Sequence, residues 1–226
     1  MKKLFLVAVC ALGVLTASAQ RASSTSTSFF STEKADQGVR FGIRAGLNFA
    51  SITGDFDDTP DSRTAFHVGA IADIPLMQSL YIQTGLYFHS KGLKFEEAYN
   101  GYKDKATMSP MYLQIPILAS YRYNFSDAFQ VEVDFGPYFA YGVGGKYKEE
   151  YTDGSDSFEA DTDIFGDDGV LKRFDCGLQV GAGVTFASHY YLGFTYEFGL
   201  TDIGNDDFTE VNMKNSNWMI SLGYTF

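Results

Sequence analysis

The side chains of this 226-residue chain that could do chemistry are three histidines, two cysteines and a run of carboxylates. His67 and His89, with Ser90 beside them, bring a base close to a hydroxyl, and with a carboxylate they could build an acyl-transfer or deacylase site. Period-two alternation puts both histidines on one face and Ser90 on the face opposite His89, so the neighbours do not form a nucleophile and its base. No Gly-x-Ser-x-Gly elbow and no phosphate-cradling glycine loop occurs. Zinc is poorly served by His67, His89, His189 and one thiol. A hard cation such as Ca²⁺ has more to bind in Glu149, Glu150, Asp153, Asp156, Glu159, Asp161, Asp163, Asp167 and Asp168. An EF-hand register starting at Asp161 nevertheless fails, because Phe165 and Lys172 stand where oxygen ligands are required. A hydrated acidic loop is the plainer reading, and no catalytic residue, metal site or cofactor is assigned.

A different set of polar residues recurs inside apolar segments: Arg40, Arg44, Asp73, Arg122, Glu132, Asp134, Asp175 and Glu197. From residue 39 the sequence alternates strictly, with Phe41, Ile43, Ala45, Leu47 and Phe49 apolar and Arg40, Gly42, Arg44, Gly46 and Asn48 between them, which is the signature of a strand. The pattern recurs eight times. Its later members run over 66–74, 80–88, 113–121, 129–139, 174–186, 190–200 and 218–226. The short connections are 75–79, 124–128 and 187–189, and the long ones 53–63, 94–110, 142–172 and 201–215. This fixed order predicts an all-β, eight-stranded antiparallel up-and-down barrel with one short rim and one long rim, as in transmembrane barrels with short periplasmic turns and long external loops.

Face chemistry separates a membrane barrel from a soluble one. The minority face holds the eight charged residues and many glycines, which suits a narrow lumen filled by side chains where charges pair. The other face is apolar and ends in aromatics. Phe49, Phe66, Phe88, Phe139, Tyr141, Phe174, Phe198 and Trp218 stand towards the long loops, and Tyr121, Phe129, Phe186, Tyr190, Tyr224 and Phe226 towards the short turns. These are read as two interfacial girdles. Arg44 is expected at the depth of Glu132 and Asp134. With the hairpin turn near Phe125 and Ser126, Pro116 should face Phe135 and Pro137 should face Gln114, weakening one stretch of ladder. A bulge that sets curvature is the plain account, and a lateral gap admitting a lipid chain or partner strand is the sharper one.

Residues 1–19 read as a signal peptide, with Lys2 and Lys3 before an apolar run at 4–15 and Ala17-Ser18-Ala19 as the cleavage site. Residues 20–38 form a flexible Ser/Thr-rich leader, and 39–226 the barrel domain. Cys10 leaves with the signal peptide, so Cys176 has no intrachain partner. Seventeen Lys and Arg against 28 Asp and Glu give a formal charge of −11, which disfavours nucleic acid as a partner. The run at 4–15 is too short for a membrane-spanning helix.

Several blocks carry a resemblance: Gly46-Leu47-Asn48-Phe49, Tyr112-Leu113-Gln114-Ile115-Pro116, Phe135-Gly136-Pro137-Tyr138, Asp175-Cys176-Gly177-Leu178, Gly199-Leu200-Thr201-Asp202-Ile203 and the ending Leu222-Gly223-Tyr224-Thr225-Phe226. Across residues 39 to 226 the chain resembles the PorT-like outer-membrane β-barrel domain family. The resemblance implies the outer membrane of a Gram-negative bacterium, with surrounding lipid and the barrel assembly machinery as partners. Tyr224 and Phe226 look like the C-terminal assembly signal read by that machinery. The expected function is an envelope-structural or surface interaction role through long acidic external loops, with a possible protein partner there and no catalysis. A lipid-binding or lipid-modifying barrel enzyme, or an accessory component of a secretion or transport complex, is the alternative.

Overall fold

The computed structural model describes residues 38–54, 61–99, 102–126, 128–153, 156–166, 169–205 and 212–226. The segments read as signal peptide and leader lie outside them, apart from Gly38. Ten strands follow in chain order: β1 Arg40–Gly54, β2 Asp61–Pro75, β3 Leu80–Ser90, β4 Leu93–Tyr99, β5 Tyr102–Ser126, β6 Phe129–Asp153, β7 Asp156–Asp163, β8 Phe174–Phe186, β9 Tyr190–Gly199 and β10 Met213–Thr225. All belong to one antiparallel sheet, and β1 pairs with both β2 and β10. Pairing runs β1-β2-β3-β5-β6-β8-β9-β10 and returns to β1, so eight strands close a circuit.

Among the described residues two strands are additional to the eight of this circuit. The two added strands lie where the alternation reads as loop: β4 from one residue before 94–110 into it, and β7 inside 142–172. β5 and β6 also reach 25 residues each, about 80 Å at roughly 3.3 Å per residue, whereas about 9–11 residues cross a bilayer. Their distal halves therefore stand clear of the hydrocarbon. β4, distal β5, distal β6 and β7 form a four-stranded extension. A bulge between Met111 and Tyr112 marks its base, where β6 carries the extra residue Val143, and bulges bend and twist a strand in this way. Gly92, at φ +121°, turns the chain from β3 into β4 where a Cβ would meet the Met108 carbonyl oxygen at 2.0 Å. Only glycine fits there.

Polarity is inverted relative to a soluble domain. Phe41, Ile43, Leu47, Val133, Phe135, Leu192 and Leu222 are exposed, while Arg44, Asn48, His67, Glu132, Asp175 and Glu197 are buried. Within this polar interior lies an apolar core at the long rim, with Ile52, Leu93, Tyr112, Tyr138, Ile164, Phe165, Leu171, Ile203 and Met213 packed together.

The proline register also differs from expectation. Pro116 pairs with Tyr138, not Phe135, because the turn lies beyond Ser126, which pairs with Phe129, and the ladder is irregular at Asn124 to Ser126. Pro137 falls opposite Ile117, not Gln114, where the ladder skips Ile117 and Leu118. The β3–β5 ladder skips separately, beside Ile115 and Pro116, where the Thr84 hydroxyl donates to the Pro116 carbonyl at 2.8 Å. The interruptions thus lie on opposite edges of β5 and pairing resumes beyond each, which removes the single weak seam that lateral access required.

Candidate functional site

Strand parity carries the polar residues inward, and they gather in two clusters. In the first, Glu132 bridges two guanidinium groups: its Oε1 lies 2.7 Å from Arg44 Nη2 and its Oε2 3.1 Å from Arg122 Nε. Arg122 Nη2 reaches Asp73 Oδ1 at 2.8 Å, and Arg40 approaches the other Asp73 oxygen at 3.9 Å. Gln83 closes the ring by accepting from Arg44 at 2.9 Å and donating to Asp73 at 3.0 Å. Arg44 also lies 3.5 Å from the Tyr191 ring centroid, a cation–π contact that replaces lost hydration. Asp134 is buried beside this cluster, but its Oδ1 has no hydrogen-bond partner.

The second cluster forms around a residue that the alternation had left out. Lys91 is fully buried, with Nζ 3.1 Å from Glu197 and 3.6 Å from Asp175, and it lies 4.4 Å from the Tyr138 ring centroid. Asn215 donates to Asp175 at 2.9 Å, Tyr138 at 3.3 Å and Thr201 at 3.1 Å. Gln114 and Asn217 donate to Glu197. These donors satisfy much of what burying two carboxylates demands. Lys91 shares parity with Gln83, Tyr87 and His89, so extending the third alternating segment by two residues would have found it. A cavity of about 20 Å³ is bordered by both clusters, through Arg44 on one side and Gln114 and Glu197 on the other, which is room for about one water molecule.

The histidines do not assemble a catalytic site. His67 is held between Asn48 Oδ1 at 2.6 Å and Ser221 Oγ at 2.9 Å, and Gly46 leaves it room, since a Cβ there would come 2.7 Å from its ring. His89 stacks on His67 with centroids 5.4 Å apart. His189 lies at the short rim, against the Thr225 carbonyl and the Tyr224 ring. Ser90 is buried and not on the outer face as parity alone had placed it, because the chain leaves the strand there. Its hydroxyl accepts from Arg63 at 3.0 Å.

Of the acidic run, Glu149 is exposed and Glu150 half-buried, its carboxylate 3.0 Å from Lys105 Nζ. Asp153, Asp156, Glu159, Asp161 and Asp163 sit in the β6–β7 hairpin, not in a loop, and Asp167 and Asp168 lie outside the described residues. Phe165 packs into the apolar core. Among the described residues no group of three or more His, Cys, Asp or Glu side chains could hold a metal ion. At the long rim, burial pushes the Asp202 carboxyl up, but the Met213 and Gly204 backbone N–H groups and nearby Lys172 and Lys214 hold it below the ordinary carboxylate range.

The aromatics read as girdles lie on the outer surface. Phe49, Phe66, Phe139, Tyr141, Phe174 and Trp218 are exposed towards the long rim, with Phe88 and Phe198 half-buried. Phe129, Phe186, Tyr190, Tyr224 and Phe226 are exposed towards the short rim, with Tyr121 half-buried.

An antiparallel circuit with apolar residues outside and ionic clusters inside defines the class of membrane-spanning β-barrels. The chain belongs to the outer membrane protein beta-barrel domain family, whose model matches residues 19–205. It is a protein of the Gram-negative outer membrane. Among solved structures it is similar to the attachment invasion locus protein Ail of Yersinia pestis, at 14% identity and TM-score 0.40, covering 84% of this chain and 100% of Ail. Neisserial surface protein A is similar at 12% identity and TM-score 0.44, with 84% and 100% covered. OprG from Pseudomonas aeruginosa is similar at 14% identity and TM-score 0.39, with 87% and 99% covered. No curated protein matches the chain.

Proposed function

We propose that the protein is a non-conducting, non-catalytic outer-membrane barrel of the PorT-like kind, with an envelope-structural or surface interaction role exercised through its long rim. The observation that carries this reading is a lumen filled by side chains beneath a rim that continues into a four-stranded extension. Filling favours anchoring over passage of solutes. The hydrogen-bonded His67 and the Arg63-held Ser90 favour a structural lumen over a reaction site. Aromatic girdles fit the protein to lipid at both interfaces. Tyr224 and Phe226 serve as the assembly signal, and residues 1–19 as the export signal.

The test places single cysteines on the two rims in a Cys176→Ser background. A membrane-impermeant maleimide applied to intact cells should label Glu150→Cys and leave Ser126→Cys unlabelled. The reverse pattern overturns the assigned orientation and with it the surface role.

A further inference from the structure

Four side chains that line the cavity between the ionic clusters each hold a buried polar atom without a hydrogen-bond partner among the described residues: Arg44 Nε, His89 Nδ1, Gln114 Oε1 and Gln179 Oε1. They come from β1, β3, β5 and β8, four separate strands of the barrel wall. Arg44, His89 and Gln114 are buried throughout. The other atoms of two of these side chains are already committed, which fixes what each has left to offer. Arg44 donates to Gln83 through Nη1 and to Glu132 through Nη2, leaving its Nε–H. Gln114 donates to Glu197 through Nε2, so its amide oxygen is the free end.

The pattern of donors and acceptors selects the ligand. Two amide oxygens accept and one guanidinium N–H donates, so the occupant must do both. A cation would meet the Arg44 charge and could not accept its N–H. An anion would meet two amide oxygens and the Glu197 carboxylate, which also lines the cavity. Water donates twice and accepts twice. Its hydrogens suit Gln114 and Gln179, and one lone pair suits the Arg44 N–H. The second lone pair then requires the proton of a neutral His89 to sit on Nδ1. A volume of about 20 Å³ takes one such molecule, and burying four polar atoms with these bonds unmade would be costly.

We infer that this cavity is a binding site for one water molecule, held by Arg44, His89, Gln114 and Gln179, and that the water joins the two ionic clusters into one network. Arg44 belongs to the Glu132 cluster, and Gln114 belongs to the other through its bond to Glu197. The water touches both, so it is the link between them. A buried polar network whose members are all satisfied holds its side chains in one arrangement. The site concerns the lumen and does not depend on the surface role.

The test is NMR of the full-length protein in detergent micelles with isotope-labelled histidine. In the parent protein His89 should carry its proton on Nδ1, and that proton should give a cross-peak to water. The double variant Gln114→Met, Gln179→Met removes both acceptors, and heat-modifiable gel migration selects its folded fraction. There the cross-peak should be lost while the His67 tautomer stays as in the parent. A proton on His89 Nε2 in the parent, no cross-peak there, or a cross-peak that survives in the double variant overturns the inference. Crystals of the parent protein give a reading that needs no variant. Electron density for one water within hydrogen-bond distance of Gln114 Oε1 and Gln179 Oε1 supports the site. Density absent there, or an anomalous rubidium peak at that position after a rubidium soak, overturns it, the latter in favour of a monovalent cation.

Discussion

Lys91 sits between two buried carboxylates, and its removal would leave both without a cation. Breaking a buried pair by deleting one partner costs about 3–5 kcal/mol, because the charge left behind has lost its hydration. Lys91→Met is expected to lower unfolding stability by that amount in a urea titration read on gels. Arg44→Ala should cost about 2–4 kcal/mol, since Arg122 still contacts Glu132. The triple variant Lys91→Met, Asp175→Asn, Glu197→Gln should recover most of the first loss, because neutral groups of similar shape need no counter-ion. A triple variant no more stable than Lys91→Met would show that Lys91 acts through packing on Tyr138. Arg44 and Glu132 were legible in the sequence because each interrupts an apolar alternation. Lys91 was not, because it follows the last apolar residue of its segment and no alternation frames it.

At the scale of the element, the eight wall strands are legible because lipid and lumen impose opposite demands on alternate residues. Beyond the bilayer that contrast weakens. β4 and β7 mix charged, polar and aromatic residues along their sequences, so period two no longer appears as hydrophobicity and the segments resemble loops. Register across β5 and β6 differs from the expected one by three residues, Pro116 standing opposite Tyr138 in place of Phe135; an odd shift sets inward residues opposite outward ones, so the alternation itself excludes the expected register and leaves the turn to choose among even offsets. The β8–β9 turn shows how a turn holds register with unfavoured residues. Ala187 and Ser188 have φ of 49° and 63°, the pair of positive angles that a type I′ hairpin demands and that Asn-Gly adopts most readily. Replacing them by Ala187→Asn and Ser188→Gly should raise stability by about 1 kcal/mol, as the left-handed strain is relieved. Denaturant midpoints of the two proteins measure this, and a lower midpoint for the variant would mean that Ala187 or Ser188 supplies a contact worth more than the strain.

For the whole molecule, the question is whether the apolar core at the long rim is a gate or a structural core. Ile164, Phe165 and Leu171 fold back into the mouth of the barrel. The segment is tied by Ile164 N–H to the Gly145 carbonyl at 3.2 Å and by Leu171 N–H to the Ile164 carbonyl at 3.2 Å. Arg173 donates to the carbonyls of Gly142 at 3.0 Å and Phe165 at 3.3 Å, and Tyr112 meets the Phe165 ring edge-on with centroids 5.6 Å apart. A gate would be the only obstruction on its path. Here both ionic clusters lie within the same lumen and obstruct it in series, so opening the mouth alone gives ions no route. Phe165→Ala should therefore separate two properties that a gate would link. Stability should fall by about 3–5 kcal/mol, the scale for truncating a buried phenylalanine, while planar-bilayer recordings should show no steady conductance for either the parent protein or the variant. Discrete channel openings in Phe165→Ala would mean that the ionic clusters do not close the lumen and that this segment is a gate.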